Sequence, residues 1–213
     1  MALPAQKPGR RFTWADYRTW PDDERWEIID GEAYGMSPSP ATRHQIISGE
    51  LFAELRTFFK GRSCRVFTAP MDVKLSDEDV VQPDLLVVCD PKQILRTHIE
   101  GAPSLVVEIL SPDSTAHDRI RKSALYAAAG VREYWIVTPW PHVVEVLSLD
   151  GRGYRLHRAF GKDDTLTSPT FPGLALALAD VFDFPLEPGE EPPVVREPPS
   201  PRYAAAAAQG TQQ

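Results

Sequence analysis

The chain predicts a mixed β-sheet with helices on its faces, an α/β fold, on three observations. Residues 84–88 (DLLVV), 105–110 (LVVEIL) and 133–137 (EYWIV) are nearly unbroken apolar runs, the pattern of strands buried on both faces. Two stretches carry helical signals. Ile47, Leu51, Leu55 and Phe58 recur at spacings of four, four and three, and residues 111–130 (SPDSTAHDRIRKSALYAAAG) form an Ala-rich segment between polar caps and a glycine stop. Asp30-Gly31 and Asp150-Gly151 join alternating segments as hairpin turns.

In order along the chain, Thr13 caps a short helix that runs to Trp20 and is stopped by Pro21. Residues 25–31 (RWEIIDG) alternate up to the first turn, and the hairpin continues through residues 33–36. Ser39-Pro40 marks a helix start with proline at its first position, and the apolar stripe that follows ends before Gly61. Two short strands are expected at 65–67 and 71–75, then a solvated acidic loop (SDEDV), then the three buried strands with the Ala-rich helix between the second and third. The second hairpin closes the pattern with HVVEVLSL and YRLHRAF.

The 213 residues suit one domain plus an appendage. Composition breaks near Phe184. From Pro185 the chain is rich in Pro, Glu and Ala, with little to bury, and reads as a disordered tail. The expected organisation is a flexible N-terminus at 1–11, a folded domain at 12–184 and the tail at 185–213. Two cysteines, Cys64 and Cys89, are too few for a disulfide scaffold or a Cys-rich zinc site, and read as reduced, buried thiols of a cytoplasmic protein. No apolar run approaches the ~18 residues of a membrane span, and the first dozen residues lack the apolar core of a secretion signal. The net charge of −7 disfavours coating nucleic acid by bulk charge, and removing the tail leaves −5.

The chemistry lies in two carboxylates among apolar neighbours. Asp84 opens a Val/Leu strand directly after Gln82-Pro83, and Glu108 stands inside LVVEIL. A buried carboxylate needs a cation, a hydrogen-bond donor or a raised pKa. Two of them on consecutive central strands can converge on one point, and hard oxygen ligands suit Mg²⁺ or Mn²⁺ better than Zn²⁺. Lys122 lies on the helix that follows the Glu108 strand and turns back along the sheet. Asp118, Lys122 and Tyr126 share one face of that helix, so Asp118 is expected to hold the ammonium. A lysine beside a metal-bound water can orient the nucleophile or offset charge at phosphorus.

These residues carry a resemblance. Gln82-Pro83-Asp84, Glu108 in VEILSP, Asp118 and Lys122, and the run Gly130-Val131-Arg132-Glu133-Tyr134-Trp135 resemble a large bacterial family of restriction-endonuclease-like proteins within the PD-(D/E)XK nuclease superfamily. The likeness spans residues 12–184 and includes Trp26-Glu27-Ile28-Ile29-Asp30-Gly31-Glu32 and the His44 region. It implies a restriction-endonuclease-like core, Mg²⁺ dependence and phosphodiester hydrolysis in DNA. By carry-over, Asp84 and Glu108 are the motif's acidic residues, with the backbone carbonyl of Ile109 as a further metal ligand. The usual lysine two residues after Glu108 is replaced by Leu110, and Lys122 on the next helix takes its place. Glu50 is a candidate extra carboxylate from the first long helix, and a homodimer is expected.

Plainer readings stand beside these. Asp84 could cap its strand entry, Glu108 could pair with an arginine, and Lys122 could belong with Arg119 and Arg121 to a solvated helix face. Glu50 could be a surface residue and His44 a structural histidine. Glu27 and Glu32, flanking a hairpin turn, read as cross-strand partners. Arg56, Lys60, Arg62, Arg65, Arg119, Arg121 and Arg132 offer cations for phosphate contacts. A non-catalytic nucleic-acid or protein-binding module that keeps the nuclease fold is the alternative function. A two-carboxylate glycoside hydrolase, active without metal, is a third. No GxSxG elbow, P-loop, HExxH or dinucleotide fingerprint is present.

Overall fold

Two β-sheets and two long helices build the frame, in a computed structural model that describes residues 10–21, 23–36, 41–111 and 116–186, with the side chains of 116–118 left aside. Ser39-Pro40, most of the N-terminus expected to be flexible, and nearly all of the Pro-rich tail lie outside the described residues.

The chain enters through α1 (Trp14–Tyr17), shorter than the helix expected to reach Trp20. Its start is as expected: the Thr13 hydroxyl accepts from the Asp16 backbone N–H while the Asp16 carboxylate accepts from Thr13, a complete capping box. The first hairpin follows as β1 (Trp26–Ile29) and β2 (Glu32–Gly35). Asp30 and Gly31 both take positive φ, 51° and 73°, the two-residue turn whose twist matches paired strands. Helix α2 (Thr42–Phe58) buries Ile47, Leu51 and Leu55, the stripe read from their spacing.

Next come β3 (Arg65–Thr68), β4 (Val73–Lys74), β5 (Val80–Val81), β6 (Leu85–Val88), β7 (Ile99–Glu100) and β8 (Leu105–Ile109). Helix α3 (Ala116–Ala129) leads into β9 (Glu133–Thr138) and the second hairpin, β10 (Val143–Asp150) with β11 (Gly153–Gly161). Strands β12 (Thr165–Thr167) and β13 (Ala175–Ala177) and helix α4 (Leu178–Val181) complete the described part.

The larger sheet has the order β11-β10-β9-β8-β6-β3 and is antiparallel except for β8 with β9, the pair joined through α3. The smaller has the order β2-β1-β5-β4-β7. Side-chain alternation in the large sheet sends Leu85, Val87, Leu105 and Val107 to one face, where they pack with α2, α4 and β13. Leu86, Val88 and Val106 go to the other, against Tyr126 of α3 and Ile29, Val73, Val81 and Ile99 of the small sheet. Both sheet faces are therefore covered, which explains the unbroken apolar runs. Asp84 and Glu108 belong to the second face, where α3 and the small sheet meet.

A buried carboxylate elsewhere is fully accounted for by structure. Glu133 accepts from the Trp135 indole, the Ser168 hydroxyl and the Thr170 backbone N–H, pinning the loop after β12 to the sheet.

The cysteines depart from expectation. Cys64 and Cys89 form a disulfide rather than two reduced thiols. The cause is register: Arg65 pairs with Val88 across β3 and β6, so the residues one step outward face each other. No helix among the described residues is long and apolar enough to cross a membrane.

Candidate active site

Strand pairing places the two carboxylates together. In the antiparallel pair of β6 and β8, Leu85 stands opposite Val107, so the next step sets Asp84 opposite Glu108. Asp84 sits just before β6, and its C=O accepts from the Ala69 N–H, which carries the pairing with β3 one step beyond the strand. Its Oδ2 accepts from the Ile109 N–H at 2.7 Å, and its Oδ1 meets His44 Nε2 at 3.0 Å. Two donors from different elements thus fix the carboxylate.

His44 comes from the first turn of α2, and its other ring nitrogen, Nδ1, is buried without a hydrogen-bond partner among the described residues. Burial opposes a charge on this imidazole. The hydrogen bond and charge of Asp84, with the charge of Glu108, outweigh burial and hold its pKa above the ordinary value, while Arg25 works against them. The histidine and aspartate therefore form a pair.

Glu108 and Lys122 are brought together as expected. Lys122 Nζ donates to Glu108 Oε1 at 3.1 Å and to Glu27 Oε1 at 3.0 Å. Tyr126, one turn on, donates its hydroxyl to the same Glu108 oxygen at 2.6 Å. The side chains are only 12% exposed at Glu108 and 17% at Lys122, so their charges are poorly screened. Burial pushes Glu108 up to about 7. The Lys122 ammonium pulls it down, and the carboxylates of Asp84 and Glu27 push it up again. Burial works against the Lys122 charge too, but Glu108 and Glu27 raise its pKa overall, so it stays an ammonium. Tyr126 is pushed well above its ordinary range by burial and by Glu108, and remains a hydroxyl donor.

Glu27 is the residue sequence reasoning missed. Cross-strand pairing was the expectation, yet its register partner is Tyr34 and its carboxylate leaves the hairpin for Lys122 and the Gln82 backbone N–H. The signal was available: Glu27 stands among Trp26, Ile28 and Ile29 much as Glu108 stands among valines and leucines. Asp118, expected to steady Lys122, has its side chain outside the described residues; Glu27 supplies a carboxylate partner. Glu50 is exposed on α2, which fits the surface reading. Arg119 is not simply solvated: it pairs with Glu145 of β10.

The donor set is chemically suited to a hard dication. Glu27 and Glu108 share one ammonium, Asp84 stands opposite Glu108, and a second positive charge would favour the ionised Glu108 that burial, and then the two other carboxylates, disfavour. Among the described residues, no three of the His, Cys, Asp and Glu side chains converge into a ready-made metal cage. Mg²⁺ does not require one, since it keeps several waters and takes one or two carboxylates.

Residues 14–179, well over half of the chain, match the family described as "Uma2: Putative restriction endonuclease". The chain belongs to the Uma2 family. The match to Uma2 takes in Glu27, His44, Asp84, Glu108 and Lys122. A second likeness is to an uncharacterized protein of Synechocystis sp. PCC 6803, 31% identical over 115 residues. That alignment covers 53% of this chain and 60% of the relative, so it spans less than two thirds of that protein's length. Among solved structures, a crystal structure described as "a putative nuclease belonging to DUF820", from Anabaena variabilis, superposes with a TM-score of 0.67. It covers 80% of this chain and 97% of its own at 20% identity, a likeness of fold. The mixed α/β architecture of this Uma2 chain is thus shared with that structure.

Proposed function

We propose that this protein is a metal-dependent endonuclease that hydrolyses phosphodiester bonds in DNA, on a restriction-endonuclease-like core. The observation that carries the reading is the convergence of Asp84, Glu108 and Lys122, from two paired strands and the helix that follows them. Family membership supports the same direction.

Asp84 and Glu108 would hold Mg²⁺ or Mn²⁺, with the backbone carbonyl of Ile109 as a third oxygen. When bound, the ion would neutralise charge on the phosphoryl oxygens and make its water a stronger nucleophile. The protein's own groups do the positioning. His44 and the Ile109 N–H hold both oxygens of Asp84 in one orientation. Tyr126 and Lys122 hold one oxygen of Glu108, and the other has no hydrogen-bond partner among the described residues. Lys122 has three N–H donors and spends two on Glu108 and Glu27, so the third can orient the attacking water or meet charge developing at phosphorus. Lys122 thereby supplies, from α3, the cation missing at Leu110.

The test is conversion of supercoiled plasmid to nicked or linear form with Mg²⁺ or Mn²⁺, comparing wild type with Asp84→Ala and Glu108→Ala. Cleavage confined to wild type supports the reading, and equal cleavage by all three overturns it. The alternative, a binding module that keeps the fold, draws on Leu110 and the acidic balance of the chain. Tryptophan-fluorescence titration separates the two: a divalent site lost in Asp84→Ala favours the nuclease, and no binding at millimolar metal favours the module.

A further inference from the structure

Beside the candidate site lies an open pocket of about 350 Å³ whose walls carry four aromatic side chains, Trp14, Tyr17, Trp20 and Trp26. They form a connected set, with ring centroids 5.6 Å apart for Trp14–Tyr17, 5.4 Å for Tyr17–Trp20 and 5.9 Å for Trp20–Trp26. All four are only partly buried. The pocket's volume lies at the small end of the range for bound organic ligands.

The pocket and the site meet at the end of the small sheet where β1 begins. Trp26 lines the pocket from one face of β1, and Glu27 holds Lys122 from the other. Gln82 lines the pocket and Asp84 follows two residues later. Gln82 ties the two regions together: its backbone N–H donates to Glu27, its side-chain amide donates to Tyr17 and Asp72, and its carbonyl accepts from Arg25 Nε at 3.0 Å. Arg25 lines the pocket and donates to Gln82 through Nε, and its two terminal nitrogens make no hydrogen bond among the described residues. A guanidinium end on the wall of an aromatic pocket offers a phosphate grip next to a stacking surface, the two contacts a nucleotide presents.

We propose that this pocket receives an unpaired nucleobase of a DNA strand crossing the site, stacked on its tryptophans, with Arg25 gripping the phosphate between the base and the Asp84–Glu108 pair. The assignment rests on the nuclease reading for its orientation, and a base in this position is out of its duplex stack. The protein therefore prefers single-stranded or flared DNA to closed duplex.

The experiment is equilibrium binding, by fluorescence anisotropy, of the full chain to labelled oligomers without divalent ions. The probes are a thymidine oligomer, the same oligomer made of abasic residues, its duplex, and a uridine oligomer. Wild type is expected to bind the thymidine oligomer about ten-fold more tightly than the abasic one, and more tightly than the duplex. Trp20→Ala binds the thymidine and abasic oligomers alike with an unchanged salt dependence, and Trp20→Phe keeps the preference for bases. Equal binding of base-bearing and abasic oligomers by wild type overturns the proposal, with no variant needed. Retention of the full preference by Trp20→Ala overturns it too, and tighter binding of uridine than thymidine reassigns the pocket away from DNA. Base-dependent binding without hydrolysis after Mn²⁺ addition would sink the nuclease reading and leave the pocket standing. Hydrolysis without base dependence would do the reverse.

Discussion

Lys122 on α3 and Glu27 on β1, 95 residues apart in sequence, meet at 3.0 Å between Nζ and Oε1. This contact ties the small sheet to the large one through the same ammonium that holds Glu108. Removing one partner of a buried ion pair leaves the other charge desolvated and uncompensated. Lys122→Met should therefore destabilise the protein by about 3–5 kcal/mol at pH 7.5, read by urea unfolding. The loss should shrink by about 1 kcal/mol or more when Glu27→Gln is already present, because the contact counted twice is then gone.

Glu108 gives a pH dependence whose sign is opposite to that of an ordinary salt-bridged acid. Its folded pKa is raised, to about 7, above the usual value of 4.5. Its contribution to stability is fully present below the unfolded pKa and is lost as pH rises through the folded one. With chelator present, the melting temperature of wild type relative to Glu108→Gln should fall steadily between pH 5 and pH 8. A difference that is flat, or that grows with pH, would contradict the burial and carboxylate crowding described for this residue.

His44 does not need to touch substrate to matter. It holds Asp84 Oδ1 and, with the Ile109 N–H on Oδ2, sets the direction of that carboxylate. Outer partners of this kind typically contribute ten- to a hundred-fold to metal affinity. His44→Ala should weaken Mn²⁺ binding by about that factor, measured calorimetrically, with Asp84→Ala weaker still.

Much of the frame was legible in the sequence because it rests on local rules. Thr13 capped a helix, Asp30-Gly31 made the turn, the Ile47–Leu51–Leu55 stripe faced the core, and Asp84, Glu108 and Lys122 came together. What was not legible depends on distant pairing. Strands β5 and β7 hold two residues each, too few for any alternation, and exist only because the small sheet pairs them, while β4 keeps two residues of the strand expected at 71–75. Glu27 looked like a hairpin residue until β1 was laid over α3. The cysteines looked too few to matter until the register of β3 with β6 set them face to face.

That disulfide makes its own prediction. It closes a loop of 25 residues, for which cross-linking contributes about 3 kcal/mol in the chain-entropy account. Unfolded protein should show no reactive thiol before reduction and two per chain after it, by alkylation and mass measurement. Urea unfolding in reductant should show stability lowered by about 3 kcal/mol.

The central claim is that Asp84, Glu108 and Lys122 act on a phosphodiester as one unit. The most direct measurement is the rate of plasmid nicking at saturating Mn²⁺ for wild type and for Lys122→Met, with metal occupancy matched by titration. The account predicts that Lys122→Met still binds Mn²⁺ but nicks at least about a hundred-fold more slowly, the scale of removing one preorganised electrostatic group. Equal nicking rates at matched occupancy would contradict it.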